Sequence, residues 1–137
     1  MIRVAGGQGM YGDHAGSVRG ILEAGVDYLC LEALAELTLA ILQKDRQKDP
    51  NAGFTKDLPI YLGLAAPWIA KRRTKVITNA GGINVDGAMK LALKLARDAG
   101  LKGLKIASVT GDDVSGSLDA FRAGGEPLDG KRSICLT

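Results

Sequence analysis

Residues 4–17 read "VAGGQGMYGDHAGS", and their reading decides the fold. Within them Gly7-Gln8-Gly9-Met10-Tyr11-Gly12 has the spacing G-x-G-x-x-G. The glycines follow a short β-like run at residues 2–5. They lead into "DHAGSVRGILEAG", where Val18, Ile21 and Leu22 recur at helical spacing before Gly25 as a stop signal. Strand, glycine turn and helix in that order form the repeating unit of a parallel α/β sheet.

The same grammar recurs along the chain. "VDYLCLE" at residues 26–32 is a mostly apolar run that fits a buried strand, and the helix after it places Leu34, Leu37, Ile41 and Leu42 on one stripe. Residues 51–73, with Pro50, Pro59 and Pro67 in or beside them, read as a loop and one interrupted helix, because an interior proline removes a helical hydrogen bond. A third strand at 75–78 meets a turn at Gly81-Gly82. Asn84 then caps a helix with Ala88, Leu91, Ala92, Leu95 and Ala99 on one face and Gly100 at its end. A fourth strand is expected at 104–109, with a turn at Gly111 and a short helix from near Asp113; the "SICLT" tail supplies a short fifth. The expectation is one α/β domain over 1–137, a three-layer α/β/α sandwich around a mainly parallel sheet of four to five strands in the order 2-1-3-4.

Composition narrows the function classes. A chain of 137 residues has room for one domain with a real core, and 46% apolar with 24% charged residues is ordinary globular usage. The 19 glycines cluster where apolar segments end. A net charge of +3 with only 4% aromatics leaves few stacking side chains, so nucleic acid is not expected as a partner. The basic run Lys71-Arg72-Arg73 reads as the solvated end of a helix. Two cysteines, Cys30 and Cys135, give neither a disulfide framework nor metal spacing, which fits a reducing, cytoplasmic setting. The longest apolar run, residues 61–70, is far below a membrane span, and no membrane association is expected.

In an open parallel sheet ligands bind beyond the strand carboxyl ends. Those ends carry residues 6–14, Glu32 with Glu36, residues 79–84 and residues 110–113. Five carboxylates (Asp13, Glu32, Glu36, Asp112, Asp113) and His14, the one histidine, would face one acidic crevice. A hard cation such as Mg²⁺ is the metal that such oxygens suit. An NAD-type reading has Glu32, 20 residues after Gly12, as its ribose acceptor. Asp13 speaks against it, because a carboxylate at the helix start repels a pyrophosphate. His14 beside Asp13 suits general acid–base work. Ser17 and the cysteines have no nucleophile elbow around them.

In order and spacing, "GGQGMYGD", "VDYLCLEALAELTLAIL", "VITNAGGIN" and "GDD" resemble the amino-terminal part of the acyclic terpene utilisation (AtuA-like) family, across nearly the whole chain. The resemblance implies a piece or short relative of a longer protein, and a place in the breakdown of acyclic terpenes and branched acids carried as coenzyme A thioesters. It emphasises Gly7, Gly12 and Asp13, then Leu34, Ala35 and Glu36, then Asn79, Gly81, Gly82 and Asn84, and finally Gly111 and Asp112. One departure stands at Glu32-Ala33, where the family pattern has Asp-Tyr before Leu-Ala-Glu.

The expected function is therefore an acyclic-terpene-utilisation-type protein that binds or acts on a small acyl or acyl-coenzyme A metabolite. Asp13, His14, Glu32 and Asp112 are the acid–base candidates. Gly7, Gly9, Gly12, Glu36, Asn79, Gly81, Gly82, Asn84, Gly111 and Asp113 are the ligand-contact candidates. The alternatives are an NAD-type dinucleotide domain and a non-catalytic oligomerising or scaffold domain; self-association into a homo-oligomer is expected for a short chain with uncovered apolar surface.

Overall fold

A computed structural model describes residues 1–71 and 73–124. In chain order the elements are β1 (Val4–Gln8), α1 (Ser17–Glu23), β2 (Tyr28–Leu31), α2 (Glu36–Lys48), α3 (Leu58–Ala70), β3 (Lys75–Thr78) and α4 (Val85–Asp98). A 3₁₀ turn (Ser115–Ser117) and a short α5 (Leu118–Ala123) follow.

The sheet is parallel and three-stranded, in the order β1-β2-β3. This corrects the expected order 2-1-3-4: β2, not β1, is central. The physical reason lies in the side chains. A central strand needs apolar residues along its whole length, and "YLCL" supplies them, with Leu29 and Leu31 fully buried. The glycine-rich β1 and the short β3 leave Val4 63% and Ile77 55% exposed. Among the described residues the order never reverses, so the sheet there has no switch point of the kind that opens a crevice between diverging crossovers.

Crossovers that step in one direction with one hand place their helices on one face. Accordingly Val18 and Leu22 of α1, Leu29 and Leu31 of β2, and Tyr61 and Ala65 of α3 form one core cluster, joined by half-buried Ala5 and Val76. The other face carries Val4, Tyr28 and Lys75 in one row and Gly6, Cys30 and Ile77 in the next. Among the described residues the domain thus has two layers where three were expected. A second cluster, Ala33, Leu58, Ala80 and Ala88, binds the carboxyl-edge loops to α3 and α4.

β1 reaches deeper into the glycines than periodicity indicates, ending at Gln8, with a register irregularity between Gly6 and Gln8. Gly7 permits this close approach: a Cβ there would stand 2.7 Å from Cδ1 of Leu29. The helix α3 is continuous through Pro67, not interrupted, and Pro59 sits in its first turn. On α2 the buried positions are Thr38 and Leu42, whereas Leu37 is 73% exposed, so the expected apolar stripe is only partly the packed one. α4 follows the sequence closely, with Asn84 accepting the N–H of Gly87 at 3.0 Å. Residues 104–109, expected as a fourth strand, pair with no strand among the described residues, and Val109 is 92% exposed. The expected fifth strand from the tail lies outside the described residues.

Candidate functional site

The three strands deliver their turns to one edge. After β1 the chain runs through a loop whose backbone N–H groups are already engaged. Gly9 donates to Oδ2 of Asp13 at 3.0 Å and His14 to its Oδ1 at 2.7 Å, Asp13 donates to the carbonyl of Met10 at 3.2 Å, and Gly12 donates to Oδ2 of Asp57 at 2.9 Å. The N–H groups of Gly9 and then His14 hold the Asp13 carboxyl below its ordinary value. The same Asp57 oxygen accepts Nε2 of Gln8 at 2.9 Å, and the Tyr61 hydroxyl donates to the carbonyl of Asp13 at 3.0 Å. Two carboxylates of the chain thus stand where a dinucleotide loop would receive pyrophosphate oxygens.

Asp57 is a side chain of this edge that the sequence reading missed. It occupies the N-cap position of α3 yet makes no side-chain capping bond, which leaves its carboxylate for Gln8 and Gly12. Its signal was available: an acid directly before Leu-Pro marks a helix start. Its Oδ1 and the Oγ1 of fully buried Thr55 have no hydrogen-bond partner among the described residues.

The turn after β3 is built for structure. Oδ1 of Asn79 accepts the N–H of Ala33 at 2.7 Å, joining the second and third turns. Asn84 caps α4 with its Oδ1 and donates through Nδ2 to the carbonyl of Ala52 at 2.8 Å. Gly82 has φ +52°, and a Cβ on it would meet Cδ1 of Leu42 at 2.5 Å and the Gly53 carbonyl at 2.8 Å. Gly81 approaches Val85 in the first turn of α4. Arg46 of α2 closes the region by donating to the carbonyl of Ile83, and Asp45 pairs with Lys56 at 2.9 Å.

The remaining candidates are distributed. Glu32 is exposed at the end of β2, and Glu36 is exposed in the first turn of α2, where its charge complements the helix dipole. His14 is exposed with its imidazole over Gly16. Asp113 accepts both N–H and Oγ of Ser115, bonds that hold its carboxyl below the ordinary value, with a smaller contribution from the charge of Arg46. Gly111 and Asp112 lie in exposed chain before it. Among the described residues no group of three or more His, Cys, Asp or Glu side chains is placed to hold a metal ion. No such group joins any of the five carboxylates expected to face one acidic crevice, and Asp13 and Asp113 are bound into their own turns.

An open depression of about 260 Å³ lies at the carboxyl ends of β2 and β3, lined by Cys30, Leu31, Glu32, Ile77, Thr78 and Asn79. By strand alternation Cys30, Glu32 and Ile77 present their side chains on the open face. The floor is apolar, with Glu32, Thr78 and Asn79 at its polar end. Asp13 and Asp57 belong to the opposite side, where the Tyr61 hydroxyl holds the Asp13 carbonyl and Asp57 holds the Gly12 N–H.

Fold and site together define a parallel α/β domain with glycine- and asparagine-built turns at one sheet edge. The chain belongs to the acyclic terpene utilisation family: the family's sequence model, described as acyclic terpene utilisation family protein AtuA, matches residues 2–134. Comparison with curated proteins and with solved structures gives no match. No helix among the described residues is long and apolar enough to cross a membrane.

Proposed function

We infer that the domain binds a small branched acyl metabolite, as the free molecule or as its coenzyme A thioester, in the depression between the carboxyl ends of β2 and β3. The observation that carries this reading is the pairing of an apolar floor, Cys30 and Ile77, with polar groups at one end, Glu32, Thr78 and Asn79. A branched hydrocarbon lies on such a floor because burying it removes apolar area from water on both partners. A neutral carbonyl or hydroxyl suits the polar end better than a free carboxylate, which Glu32 repels. Of the four acid–base candidates Glu32 lines the depression, so it is the group assigned to handle a proton of the ligand. Asp13 serves the loop instead. The family membership supports a ligand of terpenoid or branched-acid character.

Thermal-shift measurements with branched and straight acyl-coenzyme A thioesters, free coenzyme A, NAD(H) and Mg²⁺ test the reading. Branched acyl thioesters are expected to raise Tm more than free coenzyme A does. Stabilisation by NAD(H) alone would replace it with a dinucleotide domain; the engaged N–H groups of Gly9 and Gly12 weigh against that outcome.

A further inference from the structure

The outer edge of β3 is unpaired among the described residues, and the chain carries a segment whose pattern suits that edge. β3 pairs with β2 along one edge only; among the described residues its other edge has no strand beside it. α4 packs on α3, and on its apolar stripe Leu91, Ala92 and Leu95 are only half-buried. Residues 104–109, Leu-Lys-Ile-Ala-Ser-Val, alternate in the manner of a strand and are largely exposed, outside any helix or strand.

The lengths agree. α4 has 14 residues and so travels about 21 Å from the carboxyl edge. Six extended residues return about 20 Å. The turn between them, residues 99–103, has the length of ordinary αβ connections. A right-handed crossover from β3 through α4 lands on the free side of β3, since β2 holds the other.

We propose that residues 104–109 close onto the outer edge of β3 of their own chain as a fourth parallel strand beneath α4, and that this closure completes the ligand site. Opposite Val76, Ile106 turns toward α4 with Leu104 and Ser108. Lys105, Ala107 and Val109 then turn to the open face beside Lys75 and Ile77, where Ala107 and Val109 extend the apolar floor of the depression. The turn at residues 110–113 arrives next to residues 79–84, which brings Asp112 to the carboxyl edge. The domain thus has an open, three-stranded state and a closed, four-stranded one.

The test is a disulfide between strand neighbours in the full chain. With Cys30→Ser and Cys135→Ser as background, the pair Val76→Cys and Ile106→Cys is expected to oxidise within one chain, giving a monomeric cross-linked species as the main product. The pair Val4→Cys and Ile106→Cys, on the far edge of the sheet, is expected to stay reduced. Hydrogen exchange on the unsubstituted chain provides a second reading: amides 105–109 are expected to exchange at least about tenfold more slowly than in the unfolded chain, the protection of a strand closed about nine-tenths of the time. Absence of both the cross-link and the protection overturns the proposal. So does a cross-link formed only between two chains, which would mean strand exchange in a dimer, or one formed to position 4. None of these readouts uses a ligand, so they stand or fall apart from the acyl-binding assignment.

Discussion

The carboxylate of Asp57 accepts the backbone N–H of Gly12 at 2.9 Å across 45 residues of sequence, and with the same oxygen it holds the side-chain amide of Gln8. One acid at the start of α3 thereby fixes both the end of β1 and the turn that follows it. The glycine turn has its shape through this acid rather than through a bound anion.

Replacing that acid separates charge from shape. Asp57→Ala leaves the Gly12 N–H without its acceptor and the buried Gln8 amide with the Met10 carbonyl alone, and is expected to cost about 1–3 kcal/mol in urea unfolding. Asp57→Asn keeps an oxygen for both donors and is expected to recover most of that loss. Equal loss in the two variants would show that the negative charge itself holds the loop.

Gly82 joins a positive φ to a crowded site against Leu42 and Gly53. Gly82→Ala is expected to lower stability by at least about 2 kcal/mol, from backbone strain and overpacking together. The double variant Gly82→Ala, Leu42→Ala restores space for the added methyl but opens the core at Leu42. A smaller effect of Gly82→Ala in the Leu42→Ala background than in the parent chain is the expected sign of the contact.

Stability is expected to hold across neutral pH and to fall at both extremes. Asp13, Asp45 and Asp113 have carboxyls held below 3.8 by their N–H, Lys56 and Ser115 partners. Their contribution is present above the unfolded value and is lost as pH falls through the lowered folded values. On the alkaline side the Lys56 ammonium, held above 10.5 by its bond to Asp45, and the Tyr61 hydroxyl, pushed above 10.0 first by burial and then by the charges of Asp57 and Asp13, favour the folded state at lower pH. That contribution disappears as pH rises through the raised folded values. Urea midpoints measured across pH check both limbs. Tyr61→Phe keeps the core shape, loses about 0.5–1.5 kcal/mol with the bond to Asp13, and is expected to flatten the alkaline limb.

Ile77 offers a variant that addresses the ligand while sparing the fold. It is 55% exposed on the floor of the depression, so Ile77→Asp is expected to change stability by no more than about 0.5 kcal/mol. The same change places a charge against the proposed acyl chain and is expected to weaken binding of branched acyl thioesters by at least about tenfold in calorimetric titration. Unchanged affinity would remove Ile77 from the ligand site.

Much of the fold is legible in the residues. The runs around Val4, Leu29 and Val76, the caps at Asn84 and Gly100, and the periodicities of α1 and α4 each express a local preference, and each element stands close to where its pattern puts it. Strand order is different in kind, because it depends on which strand can bear burial along both edges, a comparison among segments that no single pattern contains. Pro67 misleads for a similar reason: a helix wedged between β3 and α4 tolerates a missing hydrogen bond that an isolated one would not. Glycine and asparagine at residues 79–84 mark a turn correctly, but only the structure shows their polar groups joined to Ala33 and Ala52. Asp57 was hidden because its partners lie 45 and 49 residues away.

The order β1-β2-β3 also bears on how the molecule assembles. Each strand pairs with the one made just before it, so the sheet grows by addition at one edge and never waits for a later segment to be inserted between earlier ones. The β1–β2 pairing closes first, over the shorter separation, and the β2–β3 pairing then adds to an existing edge. A chain emerging from the ribosome can settle β1, α1 and β2 before β3 exists, and the nascent sheet offers one growing edge to whatever strand comes next.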